Sequence, residues 1–376
     1  MARRGSGEGT VRRRDDGRWE GRLRLAIGDR RSVFGRTQRE VVAKLRALKG
    51  EQDAGLNGRR QKLARYVTTW LEQRDPRRPS AGVRQLRYTT WAGYEARMRR
   101  HILPTLGNLE LRRVTPDHVR GALARLAESG LSPTTVACTR DTLATILGRA
   151  VKDRLIPFNA AAAVDSVQRA KAHQYVLDAK QATAFLRAAV GDPLEALFVV
   201  TLHVGLRQSE VLGLQWDDLD LDRATLTVRH ALARVKGQGL QTFDPKTTAS
   251  GATIPLPPNA VVALRAHRER VIADGRLPAG YVFATGIGTP ISASNMLRSS
   301  FYPLCERAGI PTRPGLRFHD LRHSCGSLLV QAGVRPKDVQ AILRHSKVST
   351  TMDLYVHSYD EDLRAAVGSL DRALGS

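Results

Sequence analysis

Thr201-Leu202-His203-Val204-Gly205-Leu206-Arg207-Gln208-Ser209-Glu210 closes the longest apolar stretch of the chain and opens into Leu212, Leu214 and Trp216. That stretch, Leu194 to Leu206, contains Glu195 and His203 and falls short of the roughly 20 apolar residues a membrane-spanning helix needs. It reads as part of a globular core, ended by a Gly-Leu break. Arg207 follows the break and stands one helical turn from Glu210, whose carboxylate can orient it, although the same spacing describes an ordinary surface pair. From Tyr175 onward the chain reads as mostly helical with one strand-rich insertion. There Leu226 and Val228 alternate with Thr225 and Thr227, turns fall at Lys236–Gly239 and Asp244–Thr247, and Thr253-Ile254-Pro255-Leu256 closes a three-stranded meander.

Upstream, residues 61–167 read as entirely helical. Leu63 to Gln73 and Thr89 to Ile102 give two helices. Thr115-Pro116 and Ser132-Pro133 start two more, with proline at the first helical position, where its missing N–H costs nothing. These helices are expected to expose Arg84, Arg87, Arg97, Arg99, Arg100, Arg112 and Arg113 as a phosphate-contacting surface. Residues 1–54 read as a small sheet plus a helix. In Arg18-Trp19-Glu20-Gly21-Arg22-Leu23-Arg24-Leu25, apolar odd positions alternate with mostly arginine, which predicts one buried and one cationic face. Thr37 and Glu40 form a capping box for the helix that follows. Arg18, Arg22 and Arg24 on one side of a β-ribbon suit a DNA major groove, and equally a plain solvated face. The fold class is therefore α+β and predominantly α-helical, in three parts: 1–54, 61–167 and 175–376.

The chain has 376 residues, with 60 Lys and Arg against 36 Asp and Glu, a formal charge of +24. The excess is spread along the sequence: net +9 over residues 1–60, +10 over 61–170 and +5 over 171–376. Such a distribution points to a polyanionic partner and not to one solubilising tail. Of the basic residues 50 are arginine, the better phosphate clamp because its planar fork donates two parallel hydrogen bonds. No long basic amphipathic helix accompanies the charge, so nucleic acid is expected in preference to a membrane surface. The N-terminus has no apolar run behind its basic residues, which argues against a secretory signal and for the bacterial cytoplasm, beside the nucleoid. Three widely spaced cysteines, Cys138, Cys305 and Cys325, argue against a disulfide framework or a zinc module.

Four segments in the last 170 or so residues gather reactive side chains: Arg207 with Glu210; Lys246 in a hairpin; His319-Asp320-Leu321-Arg322-His323; and Leu343-Arg344-His345-Ser346 followed by Tyr355. Singly, each has a duller explanation. His319 and His323 are four apart, but the glutamate of a His-Glu-x-x-His zinc site is missing and no third ligand is evident. As an ordered set (Gly-Leu-Arg-x-x-Glu, His-Asp-Leu-Arg-His, Leu-x-His, and Tyr ten residues on) they resemble the tyrosine recombinase, or phage integrase, family. The resemblance is closest over residues 175–358. The preceding helices look like the family's core-binding domain, and the N-terminal unit like the arm-type DNA-binding domain of mobile-element integrases.

The resemblance implies a site-specific DNA recombinase that works through a 3′-phosphotyrosyl intermediate and integrates and excises a phage or integrative element. Arg207 and Arg322 would clamp the phosphate, with Glu210 supporting Arg207. His319 and His345 would be the two histidines and Tyr355 the nucleophile. Lys246 would be the hairpin general acid, with Lys236 in the neighbouring turn as the alternative. No metal or other cofactor is called for, because two arginines and an imidazole can supply the field that stabilises the transition state. Expected partners are double-stranded DNA at core and arm sites and a homotetramer, with an excisionase or DNA-bending protein as a candidate accessory factor. A stripe of Leu363, Val367, Leu370 and Leu374 would dock the tail on a neighbour or on its own domain. At position 344 the family usually has glycine; arginine is tolerable there if the backbone does not need a positive φ. Rival readings are a type IB topoisomerase-like relaxing activity and a non-catalytic DNA-binding protein on the same scaffold.

Overall fold

The alternation around Trp19 builds a three-stranded antiparallel sheet of β1 (Thr10–Arg13), β2 (Trp19–Arg24) and β3 (Arg30–Gly35), in that order. The computed structural model describes residues 9–24, 30–53, 61–169, 174–244, 251–276, 279–312 and 314–355. Helix α1 (Gln38–Asp53) covers one face of the sheet, burying Leu23 against Val41, Leu45 and Leu48. Gly21 makes the approach possible: a Cβ there would lie 2.5 Å from Val41 Cγ1 and 2.8 Å from Leu45 Cδ1. Thr37 Oγ1 accepts the Glu40 N–H at 3.2 Å, while the Glu40 carboxylate turns back one residue further, to the Arg36 N–H at 2.9 Å. The opposite face carries exposed Arg22 and Arg24, but also Glu20, 2% exposed and held between Arg12 and Arg22 at 2.7 and 2.8 Å. Arg18 lies outside the strand and pairs with Asp16 in the preceding turn.

Four helical stretches follow in the same unit, Met1–Lys171. Helix α2 (Leu63–Gln73) buries Leu63, Tyr66, Val67, Trp70 and Leu71, one stripe at helical spacing. Helix α3 (Tyr88–Arg97) widens over Met98–Ile102 before the short α4 (Leu103–Leu106). Pro104 has no N–H to return to the preceding turn, and the ladder loosens ahead of it. Thr115 and Ser132 cap α5 (Pro116–Glu128) and α6 (Pro133–Lys152) through their hydroxyls, as their Thr-Pro and Ser-Pro spelling predicts. The expected arginine surface needs correction at two positions. Arg97 is half-buried with Nη1 donating to Thr142 Oγ1 at 3.1 Å, because α3 packs on α6, and Arg112 donates to the Leu155 carbonyl at 3.1 Å. Arg84, Arg87, Arg99 and Arg100 are exposed, Arg99 pairing with Glu95.

The second unit, Ala172–Ser376, is built around α8 (Glu195–Val204). This helix is buried on nearly every side, which is what its unbroken apolar composition requires. Phe198 meets Phe185 of α7 (Ala179–Ala189) edge-on at 5.6 Å, and Phe301 and Phe318 complete the aromatic centre. After α9 (Gln208–Leu212) the strand-rich insertion departs from a single meander. Strands β4 (Leu219–Asp220), β5 (Thr225–Thr227) and β8 (Thr253–Pro255) form one sheet in the order 4-5-8, and β6 (Ala231–Val235) pairs with β7 (Gly239–Phe243) as a separate hairpin. The strand breaks after Val228 because Arg229 folds back to the Asp217 carbonyl at 2.6 Å and the Asp218 carboxylate at 3.3 Å. Beyond it β6 runs close past Gly213, where an added Cβ would sit 3.0 Å from the Leu232 nitrogen. Helices α10 (Pro258–Ala273), α11 (Ala293–Met296), α12 (Tyr302–Arg307), α13 (Asp320–Gln331), α14 (Pro336–Leu343) and α15 (Val348–Tyr355) follow among the described residues. No helix among the described residues is long and apolar enough to cross a membrane.

Candidate active site in the carboxy-terminal unit

Gly205 ends α8 in the left-handed region, φ 65°, where a Cβ would overlap Leu343 of α14. The break lets the chain turn into α9, and Arg207 becomes its N-cap. The Glu210 carboxylate accepts twice from this residue: from the Arg207 backbone N–H at 2.9 Å and from Nη1 at 2.6 Å. Burial alone would raise the Glu210 carboxyl; Arg344 and Arg207 beside it hold it below the usual carboxylate range instead. The Arg207 side chain stays 31% exposed, with Nη1 held by Glu210 and Nη2 donating to the Arg344 carbonyl at 3.4 Å.

Helix α13 brings the second arginine. Asp320 is fully buried and fixes the loop before the helix, accepting the Arg317 N–H at 2.9 Å and its guanidinium at 3.0 Å. Arg322, 3% exposed, donates to the Gly205 carbonyl at 2.5 Å and to the Leu343 carbonyl. Burial, with Arg207 and Arg344 adding repulsion, pulls its guanidinium down to about 9, so it remains charged at neutral pH. His319 precedes the first residue of the helix without a side-chain capping bond, and its ring meets His323 nearly edge-on, 5.0 Å between centroids. Burial, then His323 and Arg322, lower the His319 pKa below the ordinary histidine value, and the ring is neutral at pH 7.

The end of α14 supplies the rest. Arg344 has φ 55° and ψ 45°, so the condition under which arginine is tolerable here is not met: the backbone is left-handed, and a non-glycine residue there carries strain of about 1 kcal/mol or more. Its guanidinium is buried against Glu210, Nη2 to Oε2 at 2.8 Å. The next residue, His345, sets Nδ1 3.0 Å from Thr351 Oγ1 on α15. Burial, followed by Arg322 and Arg207, lowers the His345 pKa to about 4.

Five of the expected site residues therefore converge: Arg207, Glu210, His319, Arg322 and His345. Tyr355 is the last residue of α15, which packs against α13 and α14. Lys246 and the apolar stripe from Leu363 to Leu374 lie outside the described residues, and Lys236 is an exposed residue of the turn between β6 and β7. Reading the sequence missed the Arg344–Glu210 pair, because nothing local joins groups 134 positions apart. It also passed over Asp320 and Thr351, although both stand inside the segments that drew attention.

A helical unit whose centre holds two fixed arginines and two neutral histidines, with a tyrosine ending the last of its described helices, has the makings of a tyrosine recombinase. The phage integrase family matches residues 175–362, and the phage integrase N-terminal SAM-like domain matches residues 63–127. The chain belongs to the phage integrase family, and its activity is site-specific recombination. It is similar to a tyrosine recombinase XerC-like protein of Caldanaerobacter subterraneus subsp. tengcongensis, 28% identical over 371 residues and spanning 91% of each chain. A fragment of the Tn1549 transposon integrase in complex with a circular intermediate DNA is similar at 25% identity and a TM-score of 0.68, over 82% of this chain and 99% of that one. A lambda integrase tetramer bound to a Holliday junction shares the fold at 15% identity and a TM-score of 0.56, over 94% of this chain and 96% of that one.

Proposed function

We propose that this recombinase cuts DNA with Tyr355 as nucleophile, inside a cradle formed by Arg207, Arg322, His319 and His345. The observation that carries the reading is the imbalance of fixed charge. Among the described residues Glu210 is the carboxylate that pairs with Arg207 and Arg344, while Arg322, near enough to feel its charge, bonds to carbonyls. An excess of positive charge held by carbonyls in a poorly solvated site favours a phosphate, and favours it more as charge builds on the non-bridging oxygens. The 3.0 Å contact between His345 Nδ1 and Thr351 Oγ1 admits the tautomer in which the hydroxyl donates, and that tautomer carries the ring proton on Nε2, where it can donate to one of those oxygens.

In the step itself the Tyr355 hydroxyl oxygen bonds to phosphorus and the bond from phosphorus to the 5′ oxygen breaks. A phenol with an ordinary pKa of about 10 must lose its proton on the way, and neutral His319 accepts it. The leaving 5′ oxygen takes a proton from Lys246, or from Lys236 if the hairpin delivers that residue. The 3′-phosphotyrosyl linkage keeps the bond energy, so a partner strand's 5′ hydroxyl rejoins the backbone without ATP. Residues 175–376 would form the catalytic part, 61–167 a core-binding clamp, and 1–54 an arm-binding unit reading DNA through Arg22 and Arg24, with Arg84, Arg87, Arg99 and Arg100 on phosphates. Strand exchange would proceed in a homotetramer on the DNA of a phage or integrative element, in the cytoplasm. The lambda tetramer on a junction supports the assembly, and the Tn1549 complex supports duplex DNA as substrate.

A suicide DNA substrate, nicked beside the cleavage point so that religation fails, tests this. Wild type and Tyr359→Phe should accumulate a covalent protein–DNA adduct, and Tyr355→Phe should not. An adduct formed by Tyr355→Phe would remove this tyrosine from the mechanism.

A further inference from the structure

The N-terminal sheet keeps a carboxylate on the face that carries its arginines. Across the strands Glu20 lies between Arg12 and Phe34, and Arg22 lies between Thr10 and Ser32. Gly21 and Leu23, which alternate with Glu20 and Arg22, turn to α1, so these six residues share the opposite face. Five of the six are exposed and Glu20 is buried. It is closed off by the two arginines that bond to it. Arg12 brings Nε and Nη2 to Oε2 at 2.8 and 2.7 Å, whereas Arg22 brings Nε alone to Oε1 at 2.8 Å. Both Nη groups of Arg22 stay without an acceptor among the described residues, and half of the side chain is exposed. Arg24, also exposed on this face, has no carboxylate partner among the described residues. Hydrogen bonds from Arg22 and then Arg12 hold the Glu20 carboxyl below the ordinary carboxylate range, so it is ionised at neutral pH.

A negative charge on a surface that meets DNA opposes the phosphates and weakens binding to every sequence alike. Its use there is to set direction. A free arginine samples many rotamers, whereas one anchored through Nε keeps its plane and loses less freedom on binding. Nη1 and Nη2 of such a fork match O6 and N7 of guanine, the acceptor pair displayed in the major groove. The short side chains of Thr10 and Ser32 on either side of Arg22 leave room for a base edge. Phosphates are bound all along the duplex and need no such aim. We propose that Arg22 is the guanine reader of the N-terminal sheet and Glu20 its positioning residue, so that the sheet selects duplex DNA with a guanine at one fixed place in the major groove. Arg24, unanchored on the same face, takes a phosphate and adds affinity without choice of base.

This rests on residues 1–54 binding DNA, as proposed above, and one experiment tests the two separately. Full-length wild type, Arg22→Ala, Arg24→Ala and Glu20→Thr each select from a pool of random-sequence duplexes, and selected and unselected duplexes are then titrated. Threonine suits the strand and removes both anchoring oxygens. Among the motifs that wild type selects, one should hold a guanine whose replacement by 7-deazaguanine, which lacks N7, weakens binding about tenfold. Arg22→Ala should no longer choose that base, and 7-deazaguanine should cost it nothing. Arg24→Ala should weaken all duplexes alike and keep the guanine. Glu20→Thr should bind unselected duplex at least as tightly as wild type, having lost a negative charge, yet its preference for the guanine should fall about tenfold. Choice lost without loss of affinity is a readout that mere damage to the sheet does not give. Arg22→Ala keeping the guanine, or Glu20→Thr keeping the wild-type preference, overturns the proposal while DNA binding by the sheet stands. Motifs and affinities unchanged in all three variants would remove the sheet from DNA, and the guanine assignment with it.

Discussion

Two regions of this molecule concentrate arginine, and they use it in opposite ways. On the N-terminal sheet Arg12, Arg22 and Arg24 are exposed, and a buried carboxylate, Glu20, sits beneath the first two. In the carboxy-terminal unit Arg322 and Arg344 are buried and Arg207 is half-buried, and among the described residues their partners are protein carbonyls and the Glu210 carboxylate. The exposed set keeps its hydration, so each side chain should contribute a screened, nearly additive share to any DNA affinity of this face. The buried set is desolvated and oriented before DNA arrives, which suits it to stabilise charge that appears only in the transition state. Substitutions should therefore change affinity and its salt dependence in the first region, and rate in the second.

The largest effect is expected at the buried pair. Arg322→Ala should slow adduct formation by about 10³-fold or more at saturating DNA, measured in a single turnover. Arg322→Lys should not rescue it, because one ammonium cannot reach the Gly205 and Leu343 carbonyls and a phosphate together. A rescue by lysine would mean that net charge matters there and the fork does not.

Acid should act on the same unit. His345 has a folded-state pKa near 4, set by burial and then by Arg322 and Arg207, whereas the unfolded side chain titrates near 6.5. Between those values the unfolded chain binds the extra proton, so stability should be full above about pH 6.5 and fall as pH drops toward 4. Urea midpoints across that range should show the slope, and His345→Gln should flatten part of it. His319 and His323, lowered in the same direction, leave the remainder. A midpoint constant from pH 7 to 4 would contradict the burial of these rings beside the arginines.

Smaller changes are expected on the sheet. Gly21→Val should cost about 1–3 kcal/mol by driving α1 off the sheet, seen as loss of arm-site binding with core-site cleavage intact. Arg24→Ala should lower the salt slope of arm-DNA binding by about 0.9 and leave the cleavage rate unchanged. Glu20→Gln should strengthen that binding by less than about tenfold, by releasing Arg12 and Arg22. Were Arg24→Ala to slow cleavage, the two regions would not be separable as drawn.

What the sequence makes legible follows the same division between local and distant causes. Trp19 and Leu23 alternate with charged neighbours, and the strand with its buried face is where that alternation puts it. The caps at Thr115 and Ser132 bond within three residues, so they can be read from the spelling alone. Arg207 and Glu210 pair within one turn, as their spacing implies. The division of the insertion into a sheet and a hairpin depends on Arg229 reaching Asp217 and Asp218, and on Gly213 admitting β6, neither of which a strand pattern contains. Arg97 looks free on a helical wheel until α6 is laid beside α3. Arg344 is the sharpest case: the sequence marks it as unusual, and only the fold, by bringing Glu210 to it, explains how a left-handed arginine is kept.

The central claim is that Tyr355 becomes joined to DNA. Protein trapped on a nicked core site can be digested with nuclease and protease and its peptides weighed. A nucleotide phosphate is expected on the peptide that contains Tyr355, with Tyr359 unmodified. A phosphate found on any other side chain, or recovered in full from Tyr355→Phe, would contradict it.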